Sequence, residues 1–274
     1  MKKAFDVKEQ YFMDDPREAG RLEKKVNGSE VVDKYLRKHI DDLQGAKVLE
    51  AGCGPGVFLR VLANLYPGFS ITGVDISGHR IEQANLKLSG LKNAVAIQAD
   101  IYKLPFPDDH FDFIYSRFLF EYLQYPVAAA KELYRVCKPG GKLLLQDLDS
   151  QFTFYPELGA QLKNMLQILK QRTGFDPDIG RKLFSVGKLA GFSFADIESE
   201  MYHKVMGQID EFNLGLWNLK LDIALNGTSF ISAEQAGKLK AEMLRSLLDE
   251  NTVMFSNLFT LTYKKCRPGS AFVN

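Results

Sequence analysis

Long apolar runs are missing from this 274-residue chain, and so is any surplus of one charge. No stretch approaches the roughly 20 apolar residues of a bilayer-spanning helix. Lys and Arg total 35 against 34 Asp and Glu, a formal net charge of +1. The basic footprint of a nucleic-acid binder is therefore absent. Cysteine is scarce: Cys53, Cys137 and Cys266 lie far apart, and their odd count argues against a disulfide framework. The four histidines, His39, His79, His110 and His203, form no metal-ligand spacing with each other or with cysteine, so no metal is expected. No apolar segment of signal-peptide type follows Met1-Lys2-Lys3. These absences lead us to expect a cytoplasmic protein in a reducing setting, with no nucleic-acid partner and no membrane insertion.

What is present is ordinary in composition and specific in pattern. A hydrophobic fraction of 46% and a charged fraction of 25% suit one large α/β domain with additional helices. An apolar run leads into a glycine turn, Val48-Leu49-Glu50-Ala51-Gly52-Cys53-Gly54-Pro55-Gly56, and a second apolar strand ends on Gly73-Val74-Asp75. The spacing predicts a βαβ unit built to hold a nucleoside. Glycines there allow close backbone approach, and Asp75 at the strand tip can accept hydrogen bonds from both ribose hydroxyls. A dinucleotide fingerprint counted from Gly52 needs a glycine at position 57, which is Val57. That disfavours a nicotinamide-dependent oxidoreductase.

The alternation continues. Strands are predicted over 47–51, 71–75, 94–98, 111–116 and 142–146, with helices over 57–65, 77–90 and 126–137 between them. This order implies a parallel sheet covered on both faces. Two helical pieces over 6–42 precede it, broken at Asn27-Gly28, with Ser29 as a candidate N-cap. After Asp149 the pattern changes. Residues 151–180 read as aromatic and loop-rich with a helix around 158–169, and another helix follows over 181–190. Strands over 194–203 and 254–264 flank a helical insertion at about 205–250, and the tail after Cys266 reads as loose.

The acid-x-G-x-G-x-G segment from Glu50 to Gly56 resembles motif I of the class I S-adenosylmethionine-dependent methyltransferases. Four further segments resemble that family in order: Asp75, Gln98-Ala99-Asp100-Ile101, Phe111–Ser116 and Leu133–Leu143. Together they span residues 46–149, and the small-molecule branch with the ubiquinone and menaquinone enzymes is the most similar. The resemblance implies an α/β fold: a doubly wound, mostly parallel seven-stranded sheet of Rossmann-like type, order 3-2-1-4-5-7-6, with a helical cap. It implies an N-terminal helical lid over residues 1–45 and a main domain over 46–274, the cap inserted at about 205–250. The implied cofactor is S-adenosyl-L-methionine. The implied reaction is methyl transfer to an O, N or C atom of a small, largely apolar metabolite. A non-catalytic S-adenosylmethionine-binding sensor or assembly factor of the same fold is the alternative, and a homodimer stays open.

The same resemblance assigns candidate residues. Gly52, Gly54 and Gly56 would cradle the methionine end, with Ala51 entering the turn and Glu50 near the cofactor ammonium. Asp75 would hold the ribose, Ile76 would pack on adenine, and Asp100 and the Ile101 backbone N–H would meet the adenine edge. Ser116 and Arg117 end the fourth strand nearest the transferable methyl. The Asn/Asp-Pro-Pro-aromatic signature of amino-methylating relatives is absent there, which argues against nucleic-acid and glutamine substrates. Asp147 and Asp149 would orient or deprotonate a nucleophile, or cap a helix. Tyr11 and Arg21 would reach the site from the lid, or lie on a plain surface helix. His203 is the histidine placed near the pocket, against a structural reading. Tyr11, Asp147, Asp149 and His203 are thus the catalytic candidates. One of Phe118, Phe120 and Tyr122 is expected to face the substrate. Phe152, Phe154, Tyr155, Met201, Tyr202, Met206, Trp217 and Met243 either line an apolar pocket or fill a core.

Overall fold

The computed structural model describes residues 12–25 and 28–267. Seven strands form one sheet: β1 (Lys47–Ala51), β2 (Ser70–Asp75), β3 (Ala94–Gln98), β4 (Phe111–Arg117), β5 (Cys137–Tyr155), β6 (Ser193–Met206) and β7 (Val253–Lys264). Their spatial order is β3-β2-β1-β4-β5-β7-β6. The first five run parallel, and β7 pairs antiparallel with both β5 and β6. This is the doubly wound arrangement anticipated from the sequence. The strand order reverses between β1 and β4, so the crevice for a ligand opens above the carboxyl ends of those strands.

Both faces of the sheet are covered, which is why β4 is buried along nearly its whole length. On one face Phe113, Tyr115 and Leu144 pack beneath α4 (Val57–Leu65) and α5 (Gly78–Lys87), joined by Leu36 and Ile40. On the other face Ile114, Leu143 and Leu145 pack beneath α6 (Pro126–Val136) and α8 (Leu183–Ala190). Pro126 opens α6, where its fixed φ suits a first helical turn.

A separate core lies beyond the sheet end. It joins α7 (Ala160–Thr173), α9 (Glu211–Asn226) and α10 (Ala233–Leu248) through Leu162, Trp217, Leu239 and Leu247. Asp210 caps α9 by accepting from the Asn213 N–H, and Ser232 and Gln235 form a capping box on α10. α1 (Pro16–Lys25) packs against α9 and α5.

Three sequence expectations change. Residues 151–155 are strand, not loop: β5 continues past a bulge after Asp149 and pairs with β7 as far as Tyr155. The bulge bends the strand, which delivers Phe154 into the outer helical core. Ser29 does not cap a helix, because the helix already begins at Gly28. Gly28 lies so close to α4 that a Cβ there would sit 2.8 Å from Val61. Of the two readings of Arg21, the plain surface helix fails: Arg21 is 7% exposed, and Glu18 on the same helix 4%. The expected break at Asn27 and the tail from Pro268 lie outside the described residues. No described helix is long and apolar enough to cross a membrane.

Candidate active site

The turn after β1 needs glycine for three different reasons. Gly52, Gly54 and Gly56 all have positive φ, at +77°, +50° and +75°. The Gly52 and Cys53 N–H groups donate to the Val74 carbonyl, at 2.8 and 2.9 Å, which pins the turn to the end of β2. A Cβ on Gly52 would press on Leu119 at 3.1 Å. A Cβ on Gly56 would stand 2.7 Å from the Ala84 Cβ, so this glycine lets α4 approach α5. A Cβ on Gly54 would meet nothing, because it projects into an open cleft. Ligand approach is thus centred on Gly54.

The cleft has two lobes. The outer lobe is lined by Asp75, Ile76, Ala99, Asp100, Ile101, Tyr102, Leu119 and Leu123 and measures about 770 Å³. The Asp75 carboxylate accepts from the Gly54 N–H at 2.9 Å and from the Ser77 N–H at 3.0 Å. It therefore fixes the glycine turn while each oxygen keeps a further lone pair for a ligand. Asp100 accepts from the Tyr102 N–H at 2.9 Å. Ile76, at a strand tip between two acids, remains 36% exposed.

The inner lobe, about 890 Å³, is dense in charge. Glu50 is 3% exposed and its Oε2 has no hydrogen-bond partner among the described residues. Burial, with the nearby Asp75 charge, pushes its pKa well above the usual carboxyl range, and Arg117 only partly offsets this. Arg117 donates to Gln146 at 2.7 Å and lies 4.2 Å from the Phe118 ring centre. Phe118 holds a positive φ of +54°, a strained backbone for an aromatic residue of a kind that clusters at functional sites. Arg21 and Glu18 form a buried two-pronged pair at 2.6 and 2.7 Å. Arg80, Glu121 and Lys220 complete the wall.

Tyr122 and Lys220 line both the inner lobe and a third space of about 600 Å³. Its walls are apolar: Phe12, Phe152, Leu162, Trp217, Leu239 and Met243 are among them. A buried polar atom without a partner, an open glycine turn and two strand-tip acids thus meet in one crevice.

Residues 49–145 match the model of a methyltransferase-domain family. The matched segment is a methyltransferase domain. Over 164 residues the chain is 31% identical to an uncharacterized methyltransferase of Schizosaccharomyces pombe, covering 56% of this chain and 58% of that protein. It is 25% identical over 252 residues to a malonyl-[acyl-carrier protein] O-methyltransferase of Ilyobacter polytropus, covering 85% and 94%. At 30% identity or above, the chain spans about half the length of such curated relatives. The fold is shared with a phosphoethanolamine N-methyltransferase of Haemonchus contortus at a TM-score of 0.61 and 17% identity, covering 94% of this chain and 61% of that one.

Within the methyltransferase crevice the structure brings together Glu50, Gly52, Gly54, Arg21 and Arg117 in the inner lobe, and Asp75, Ile76, Asp100 and Ile101 in the outer one. Other expected site residues stand apart from it. Ser116 is 1% exposed and donates to the Ala51 carbonyl at 3.0 Å, so this pair ties β4 to β1 beneath the cleft. Gly56 serves helix packing. Asp149 faces Arg181, which binds it from both its backbone N–H and its guanidinium. Burial raises the Asp149 pKa, but those bonds outweigh burial and leave it below the ordinary range. Asp149 anchors the approach to α8. Asp147 is 1% exposed and accepts from the Glu121 and Leu148 N–H groups, backing the cleft rather than lining it. Burial and the Glu121 charge push its pKa well up. His203 bonds Ser256 at 2.8 Å and shares a side recess with Arg21, Trp217 and Lys220. Tyr11 lies outside the described residues.

Phe118 and Tyr122 face the cleft, whereas Phe120 is core at 1% exposure. Phe152, Trp217 and Met243 line the apolar space. Phe154 is core, and Tyr155, Met201 and Met206 are exposed. Tyr202 touches Arg117 and Phe118. Sequence reasoning missed Arg80, Glu121 and Lys220. Lys220 alone carried a signal: it sits between Trp217 and Leu221, a charge on an otherwise apolar helical face.

Proposed function

We propose that the chain transfers a methyl group from S-adenosylmethionine to a small, largely apolar acceptor. The observation that carries this reading is the adjacency of two spaces, a crevice lined by charged groups and an apolar chamber, which share Tyr122 and Lys220 as lining residues. The residues fit the cofactor. Glu50 offers an unpartnered buried oxygen to its ammonium, the turn at Gly54 leaves room for its methionine end, and Asp75 and Asp100 meet ribose and adenine. The bound cofactor supplies an electrophilic methyl on a sulfonium.

The protein's share is then largely positional. Walls of the chamber hold the acceptor in line and exclude water. For an acceptor that must lose a proton, Glu121 lines the cleft, with Asp147 held behind it. We also propose that α1 is part of a lid, since Glu18 and Arg21 on it form one wall of the inner lobe. Incubation with S-adenosylmethionine labelled in its methyl group and a metabolite extract tests the reading. Label is expected in a small organic product with release of S-adenosylhomocysteine. Tight cofactor binding without any label transfer would instead favour the sensor reading.

A further inference from the structure

The helix α9 places Trp217, Leu221, Ala224 and Leu225 against the apolar chamber, and Lys220 falls on that same face. A lysine there is out of pattern, since spacings of three and four put neighbours on one helical face. Its ammonium makes no hydrogen bond or ion pair among the described residues. Its partner is the Trp217 ring, 5.3 Å from Nζ to the ring centre. The carboxylates around it are otherwise occupied: Glu18 by Arg21, and Glu121 by the Gln151 amide. Lys220 borders the inner lobe, the apolar chamber and the recess shared by Arg21 and His203. Among the described residues, three N–H donors therefore stand unused on the wall of a space that is otherwise apolar.

We propose that the acceptor is an amphiphile whose apolar body fills the chamber and whose anionic oxygen group, carboxylate or phosphate, is held by Lys220. This rests on the methyl-transfer reading above and deepens it. A half-buried cation with no anion beside it among the described residues is costly. Burial pushes the Lys220 ammonium toward neutrality, and the Glu121 charge only partly opposes this. An anion seated beside it removes that cost. An apolar molecule with no anionic group fills the chamber but leaves the cation exposed to an apolar wall. A cationic amphiphile meets the like charge of Lys220, while the Arg21 charge is already paired with Glu18. Lys220 is here a specificity residue for the acceptor.

Calorimetric titration of the full chain, saturated with S-adenosylhomocysteine, tests this with decanoate, decyl phosphate, decanol and decyltrimethylammonium. Both anions are expected to bind at least tenfold more tightly than decanol, and the ammonium compound more weakly still. The ratio of decanoate to decyl phosphate affinity tells which oxygen group the site prefers. In Lys220→Met, which keeps the side-chain length, the anion advantage should vanish while decanol binds as well or better. Lys220→Arg should restore it. Equal binding of decanol and the anions by the wild type overturns the inference, as does an anion advantage that survives in Lys220→Met. Failure of S-adenosylhomocysteine to bind in the preceding titration would instead strike the cofactor reading, so the two failures are separable.

Discussion

The two halves of the crevice are built by different means. The cofactor side is made of backbone turns and strand-tip acids within residues 50–102, each fixed by local sequence. The acceptor side is made of side chains from α7, α9, α10 and the bent end of β5, which lie far apart in the chain. The first is held by hydrogen bonds with set geometry. The second is held by packing, which tolerates many apolar sequences of similar volume. The family match over residues 49–145 falls on the first and stops before the second.

The contrast is broken most severely at Gly54. Gly54→Val should abolish cofactor binding in calorimetry, since its side chain enters the open cleft and its φ of +50° is strained for valine. Gly56→Ala in the same turn should instead act on the fold, because its Cβ would meet Ala84 at 2.7 Å. Overpacking of this kind costs about 1–3 kcal/mol, read as a lower melting temperature.

The outer helical core is tested in the same way. Leu247 is fully buried there but does not line the chamber. Leu247→Ala should cost about 2–5 kcal/mol of stability while S-adenosylhomocysteine affinity holds. A large loss of cofactor affinity in the folded variant would mean the two halves are coupled. Asp75→Ala should weaken cofactor binding by about 1.5–3 kcal/mol, the scale of hydrogen bonds to a charged group, with native circular dichroism. An unchanged affinity would remove Asp75 from the ribose site.

A smaller effect separates protonation states. The Glu50 pKa is raised in the ligand-free protein. Its contribution to stability is therefore fully present at pH below the carboxyl's unfolded value and is lost as pH rises through the raised one. Binding of the cofactor ammonium favours the ionised form, so affinity should strengthen with rising pH through that range, with proton release. Glu50→Gln should flatten the dependence. A wild-type affinity independent of pH would mean Glu50 does not meet the ammonium. The mildest change should appear in α1. Hydrogen exchange over residues 16–25 should slow when the cofactor binds, and unchanged exchange would reduce α1 to a fixed wall.

The same contrast explains what could be read in advance. The glycine spacing and Asp75 announced the βαβ turn and its strand tip, because turn chemistry and strand-tip position are local signals, whereas the strand order came with the family resemblance. Ser116 and Asp149 were placed by their nearness in sequence to strand ends. Their partners, the Ala51 carbonyl and Arg181, could be known only from the tertiary fold. The extension of β5 to Tyr155 was hidden for a like reason: its aromatic run reads as irregular until β7 lies beside it. In the sequence Arg80 looks like an ordinary helix-surface charge and Glu121 like a loop acid. Only the folded crevice turns them inward.

The central claim is that the crevice at Gly54 and Asp75 selects S-adenosylmethionine over a dinucleotide. Calorimetric titration of the full chain with S-adenosylmethionine, S-adenosylhomocysteine and NAD addresses it directly. Saturable binding of the first two with no heat from NAD is the expected result. Measurable NAD affinity with none for S-adenosylmethionine would contradict the account.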